Sequence, residues 1–191
     1  MTEKTHQVVF LNSKQVILRP IEKTDLLLFQ KWMNDQGTNK YLTSYLPKRI
    51  DDEEEWYKKT IGSSTDIVFS IVVGNKCIGT MGIHCINYRN GTAITGAFIG
   101  EAEYRCKGYG SEAKMLLLNY AFNTLNLRKI KSSVLDFNKR SAAYSKKCGY
   151  RVEGKLKKEV FINGRYADLI QLAVFKKWWE PLWKKFKNEK M

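Results

Sequence analysis

Two Asn-Gly dipeptides constrain this chain more than any other feature. Asn90-Gly91 separates residues 77–86 from Thr92–Ile99, and Asn163-Gly164 separates 152–162 from 166–175. All four flanking segments are rich in β-branched or aromatic residues. Asn and Gly tolerate the positive φ that tight hairpin turns need, so each dipeptide predicts an antiparallel hairpin. Between the hairpins lie a helix over 111–126, dense in Leu, Met, Tyr and Phe, a strand over Lys129–Leu135, and a helix over 139–148 with Gly149 placed to end it in a left-handed turn. A strand, a helix and a strand in that order predict a crossover with parallel pairing. The chain must therefore build a mixed sheet, largely antiparallel with one βαβ unit, flanked by helices.

The N-terminal third adds to this plan. Residues 15–19 read as a strand stopped by Pro20. Thr24-Asp25 can cap a helix whose apolar face is Leu26, Phe29, Trp32 and Met33. A second helix over 51–60 carries Asp52, Glu53, Glu54 and Glu55 in its first turn, where the helix dipole favours negative charge. Ile67–Val73 is a further strand. The predicted class is α/β (α+β), and no linker or repeat divides it. We expect one domain over 1–175 and a basic, aromatic tail over 176–191. With 191 residues, 43% of them apolar, the chain can bury one sizeable core.

Composition narrows the partners. Apolar runs of a few residues fall far short of the ~18 that span a bilayer, and Met1–His6 lacks the layout of a secretory signal, so a cytoplasmic location is expected. Cys77, Cys85, Cys106 and Cys148 form no C-x-x-C pair, and with His6 and His84 alone beside them no metal site is expected. Lys and Arg outnumber Asp and Glu by 33 to 19. Thirteen of the cations, against five carboxylates, fall after residue 145. Such a field attracts nucleic acid, a ribosome, an anionic membrane or a phosphorylated ligand, or is a solvated surface. In the tail, Trp178, Trp179 and Trp183 either pack on the domain or, with the lysines, contact RNA or a ribosome.

One segment carries chemistry: Arg105-Cys106-Lys107-Gly108-Tyr109-Gly110-Ser111-Glu112-Ala113. Its glycines let backbone N–H groups approach a ligand, the helix that follows presents its free amides and positive end, and Arg105 and Lys107 stand at the same mouth. The segment formally matches a G-x-G-x-x-G/A dinucleotide fingerprint. That fingerprint needs an apolar strand running into the first glycine, whereas Glu101 to Lys107 is polar and charged. A Walker A loop fails because no Gly-Lys-Ser/Thr follows.

The Arg-x-x-Gly-x-Gly pattern instead resembles the pyrophosphate loop of the GNAT superfamily of N-acetyltransferases. Phe98-Ile99-Gly100, Asn138-Lys139-Arg140-Ser141, Lys146-Lys147-Cys148-Gly149-Tyr150, Val152-Glu153-Gly154-Lys155-Leu156, Asn163-Gly164-Arg165-Tyr166-Ala167-Asp168 and Leu18-Arg19-Pro20 with Asp25 are similar to further segments of its RimJ/RimL and spermidine-acetyltransferase branch. The match covers residues 15–175.

The resemblance implies the GNAT fold and acetyl-CoA as donor. Amides of Lys107 through Ser111, including Gly108, Tyr109 and Gly110, would hold the pyrophosphate, with Arg105 and Lys107 assisting. The pantetheine arm would lie between Thr92–Ile99 and Lys129–Leu135, and an N–H near Phe98 to Gly100 would polarise the thioester carbonyl. A primary amine would attack that carbonyl directly: a protein N-terminus, a polyamine or an amino sugar. Asn138 is expected to hydrogen-bond cofactor or backbone. The family's acid is often a Tyr at the position that Ser145 holds here. With ~100° per residue, Tyr144 turns either to the thiol as acid or to the core, which leaves Ser141 or Ser145 near the sulfur. Where relatives often carry a basic Glu, this chain has Ile94, so His84, Glu101 or a water chain remains as base. Glu53 and Glu54 would form an acidic rim for an amine, or merely favour the helix start. The partners to expect are a small-molecule amine or protein N-terminus and, for the chain itself, a second copy in a homodimer. The rival class is a non-catalytic GNAT-fold or basic module for RNA or a ribosome.

Overall fold

The computed structural model describes residues 8–42 and 44–191; Met1–His6 lies outside them. Eight strands form one sheet in the order β1-β2-β3-β4-β5-β6-β8-β7: β1 (Leu11–Asn12), β2 (Ile17–Pro20), β3 (Ile67–Val73), β4 (Lys76–Asn87), β5 (Thr92–Ile99), β6 (Lys129–Leu135), β7 (Arg151–Ile162) and β8 (Arg165–Phe175). Every neighbouring pair is antiparallel except β5–β6. Both hairpins form where expected. Asn163 and Gly164 adopt φ of 52° and 77°, the pair of positive values that a type I′ turn requires.

The helices are α1 (Leu26–Asn34), α2 (Gln36–Asn39), α3 (Ile50–Ile61), α4 (Tyr109–Asn119), α5 (Lys139–Lys147) and α6 (Lys176–Lys190). A π-helical turn, Tyr120–Thr124, extends α4. α1 and α3 cover one face of the sheet through Leu26, Phe29, Trp32 and Trp56, which pack with Val68 and Phe98. α4 covers the other face with an almost wholly buried stretch from Ala113 to Leu118, and it touches α5 and α6. Bidentate hydrogen bonds of 2.7 Å from Arg19 to Asp25 hold β2 to the start of α1, and Ser70 donates a further 2.7 Å bond to the same carboxylate.

Residues 176–191 are less separate than the expected tail. α6 docks Trp179 at 0% exposure, and Trp179, Trp183 and Phe186 stack in turn at 5.2 and 5.4 Å between centroids. Arg151 lies 4.2 Å from the Trp178 ring centroid. Glu112, in the first turn of α4, is buried. It accepts bonds from Ser13 Oγ (2.6 Å) and Gln15 N (3.2 Å) and pairs with Lys190 (3.4 Å), tying both chain ends to α4. Among the described residues, no helix is long and apolar enough to cross a membrane.

Candidate active site

The site begins where the sheet fails to pair. β5 and β6 align in parallel only from Thr92–Lys129 to Ile94–Lys131. Beyond that they part, and the widening gap opens a cleft of about 530 Å³, within the usual range for a small-molecule site. At its narrow end Ser132 Oγ bonds Thr95 O (3.3 Å), and the Thr95 and Tyr150 hydroxyls are 2.8 Å apart.

The glycine segment forms one wall. Cys106 and Gly108 take φ of 62° and 93° on either side of Lys107, a backbone alternation that turns successive N–H groups toward a common side and makes a concave seat for an anion. A Cβ at 108 would meet nothing within 4 Å, so the space over this turn is open to a ligand. α4 starts there and adds its positive end. Ser111 N–H is already turned back to Gly108 O (3.0 Å), so the seat is narrower than residues 107–111.

Arg105 does not stand free at the mouth as expected. Its Nε donates to Ile99 O (3.0 Å), and its Nη2 to Gly100 O (2.7 Å) and Thr38 Oγ1 (2.8 Å). The guanidinium clamps the glycine segment to the end of β5 and to α2. Lys107 is the exposed cation of the turn, 5.8 Å from the Tyr104 ring centroid.

The register of β5 selects among its expected main-chain donors. Gly100 N–H is engaged by Ile78 O at 2.9 Å, and Phe98 pairs in register with Thr80. Amides alternate sides along an antiparallel strand. Gly100, Phe98 and Gly96 therefore face β4, while Ala97 and Ile99 direct their N–H groups into the cleft. Of the expected range Phe98 to Gly100, Ile99 offers such an amide, and Ala97, just before the range, adds a second. The register of the Asn90-Gly91 hairpin was the signal that would have found it. The Phe98 side chain lies across the Trp32 ring, 5.9 Å away between centroids, at the cleft edge.

α5 supplies the floor. Asn138 caps it, accepting from Ser141 N at 3.1 Å, and both residues line the cleft. Tyr144 also faces the cleft rather than the core alone. Its hydroxyl is buried without a hydrogen-bond partner, and burial, aided by Cys148 and Tyr150, raises its pKa well above the ordinary phenol range. Ser145 is the residue that turns inward, 2% exposed.

His84 and Asp66 form a pair on the α1–α3 side, Nδ1 to Oδ1 at 3.1 Å. The His84 ring lies against Gly82 and Gly96, and Gly96 lines the cleft, so the imidazole borders the cleft across a residue with no side chain. Burial pushes the Asp66 carboxyl up, but hydrogen bonds from Ser63, Thr65, Cys85 N and His84 outweigh it and hold the group below its usual range.

The other proposed acids and bases lie elsewhere. Glu101 accepts from Trp32 Nε1 (3.0 Å) and pairs with Lys31 (3.4 Å) and Lys76 (3.5 Å). The Trp32 bond leads the causes that keep its carboxyl below the usual range. It does not line the cleft, and its partners already use its oxygens. Glu53 is buried on α3 and Glu54 is exposed there; neither reaches the cleft. Burial raises the Glu53 carboxyl. Among the described residues no carboxylate lines the cleft, whose charged side chains are Arg105, Lys114 and Arg140. Arg140 reaches across to Tyr41, 5.2 Å from its ring centroid. Sequence reasoning missed Lys114.

A sheet opened between a central parallel pair, with an anion seat at the head of the following helix, defines an acyl-CoA N-acyltransferase. The family model described as "Acetyltransferase (GNAT) domain" matches residues 15–151, and the chain belongs to that family of N-acetyltransferases. It is 30% identical over 163 residues to a spermidine N(1)-acetyltransferase of Vibrio cholerae, covering 85% of this chain and 94% of the relative. It is 26% identical over 150 residues to a putative ribosomal N-acetyltransferase of Bacillus subtilis, covering 78% and 79%. The crystal structure of the Vibrio cholerae spermidine N-acetyltransferase in complex with CoA and spermine superposes with a TM-score of 0.82 at 29% identity, covering 87% of this chain and 98% of that one.

Proposed function

We propose that this protein moves the acetyl group of acetyl-CoA directly to a primary amine, with both substrates bound together in the cleft. The observation that carries this reading is the parted β5–β6 seam, which has an anion seat at one end and an unpartnered buried hydroxyl, Tyr144, on its floor. The turn at Cys106–Gly108 and the first amides of α4 take the diphosphate, and Lys107 adds its charge. The N–H groups of Ala97 and Ile99 face the thioester carbonyl, where fixed donors stabilise the developing oxyanion. Tyr144 donates a hydrogen bond to the sulfur. The amine enters from the α1–α3 side, where His84, oriented by Asp66, takes its proton. Holding amine and thioester together supplies much of the remaining acceleration.

The acceptor is a primary amine on a neutral or anionic carrier, such as a protein N-terminus or an amino sugar. The relatives named for spermidine support a polyamine. A polycation would, however, find three cationic side chains and, among the described residues, no carboxylate along this cleft.

The test pairs binding with turnover. Acetyl-CoA is expected to raise the melting temperature, and Gly108→Trp, which fills the open space over the turn, is expected to abolish that rise. Thiol release is then followed across a panel of a peptide N-terminus, a nucleotide-linked amino sugar and spermidine. Absence of stabilisation at millimolar CoA refutes the donor assignment. Spermidine as the best amine refutes the acceptor class.

A further inference from the structure

The cleft contains a cation that no step above uses. Lys114 lies in the second turn of α4 and is only 2% exposed, yet its side chain forms part of the cleft wall. Its ammonium faces aromatic rings, 5.6 Å from the Tyr144 ring centroid and 5.7 Å from that of Tyr150. Among the described residues it makes no hydrogen bond or ion pair. Taking a charge out of water without a partner is costly, and two ring faces recover only part of that. The side chain is satisfied when negative charge arrives from the cleft. The position also fits the chemistry, because Tyr144, beside it, has a second unpartnered polar atom facing the same space.

We propose that Lys114 supplies the positive charge and the proton that receive the donor's sulfur as the acetyl group leaves. The inference rests on reading the cleft as an acetyl-CoA site. In the step, the amine nitrogen bonds to the thioester carbonyl carbon, and the carbon–sulfur bond breaks with its electron pair on sulfur. Lys114 Nζ gives that sulfur a proton. The nitrogen's surplus proton leaves through His84 to water, and Lys114 is reprotonated from solvent when CoA departs. Amine and thioester become amide and thiol with no further reactant.

Acidity favours Lys114 over its neighbour for this task. Burial pushes Lys114 down to about 8, close to the ~8.5 of an ordinary thiol, so transfer between them is nearly balanced. Burial raises the Tyr144 hydroxyl well above its usual range, which leaves it a hydrogen-bond donor that keeps its proton. The ionisable groups facing Lys114 are Tyr144 from α5, Cys148 just past its end and Tyr150 just before β7. Burial holds all three toward their neutral forms.

The experiment uses Lys114→Met, an apolar side chain of similar length that suits a buried position, with Lys114→Gln as a second variant should the first fail to fold. We expect kcat to fall about 100-fold while KM for the amine stays within about threefold. In the native enzyme kcat is expected to decline above about pH 8, and in the variant that decline is expected to be absent. A second readout needs no turnover. CoA is bound, its thiol is titrated through the ultraviolet absorbance of the thiolate, and ionisation is expected at higher pH in the variant than in the native complex. Turnover within about twofold of native, or an unchanged thiol titration, overturns the proposal. So does a folded variant that no longer binds CoA, since Lys114 would then hold the donor rather than serve the leaving group. If native protein itself fails to bind CoA, the acetyl-CoA reading falls and the Lys114 role with it.

Discussion

Replacing Arg105 by Met separates two roles that a cation at this position could have. In the structure its guanidinium donates to Ile99 O, Gly100 O and Thr38 Oγ1 at 2.7–3.0 Å. A bond from a charged donor contributes ~1.5–3 kcal/mol where it is shielded. Ile99 and Thr38 line the cleft, so part of each loss is returned by water, and bonds from one side chain do not add. Roughly 2–4 kcal/mol remains. For a chain of 191 residues, each kcal/mol shifts the melting temperature by about 2–4 °C, so Arg105→Met is expected to lower it by roughly 4–16 °C with no ligand present. Arg105→Lys should recover little, because one ammonium cannot span three acceptors held by a planar fork. Calorimetry on the unliganded variants measures this. An unchanged melting temperature, combined with a large loss of CoA affinity, would refute the clamp and return Arg105 to the phosphates.

Other outcomes follow from the same geometry. His84→Ala is expected to slow turnover more than Tyr144→Phe, and Asp66→Asn to slow it through a misdirected ring. Steady-state kinetics across pH checks this, and turnover in His84→Ala equal to native clears that residue. Trp179→Ala should cost about 3–5 kcal/mol, as for other buried aromatic truncations, measured by urea unfolding. Burial pushes Cys77 and Cys148 up to about 11, so alkylation followed by mass spectrometry should label exposed Cys85 and Cys106 first. Burial pushes Asp25 up, but bonds from Arg19, Glu22 N and Ser70 outweigh it and leave its carboxyl below the usual range. Its contribution is therefore complete above the unfolded value of ~3.9 and is lost as pH falls through the lower folded value. Acid titration of stability should show that loss in the native protein and not in Asp25→Asn.

Much of this architecture was legible because turns announce themselves chemically. Asn163-Gly164 and Gly149 adopt the positive φ that their residue types suggested, and the strands around them followed. α2 was not legible: four residues, Gln36–Asn39, carry too little periodicity to signal a helix. α6 was missed for another reason. Pro181 and the interleaved lysines masked a helical stripe at Trp179, Trp183 and Phe186, whose spacing places all three on one face. In the site, the glycine turn was readable from composition, but directions were not. Whether Arg105 points outward or back to Ile99 O, and whether Phe98 or Ala97 offers its amide, depends on contacts distant in sequence. Lys114 did carry a trace: it interrupts a run from Ala113 to Leu118 that is otherwise apolar, on a helix buried nearly all round.

The three-pair seam between β5 and β6 has a bearing on folding as well as on the site. Past Ile94 and Lys131, two central strands turn idle main-chain groups toward each other, the kind of bare rim that elsewhere recruits a stranger's backbone and starts a fibre. Here that rim lies between two strands whose outer edges are already paired, to β4 and β8, so it admits a ligand or a single chain end but not a further sheet. The opening that serves the reaction is thereby kept from becoming a route to aggregation.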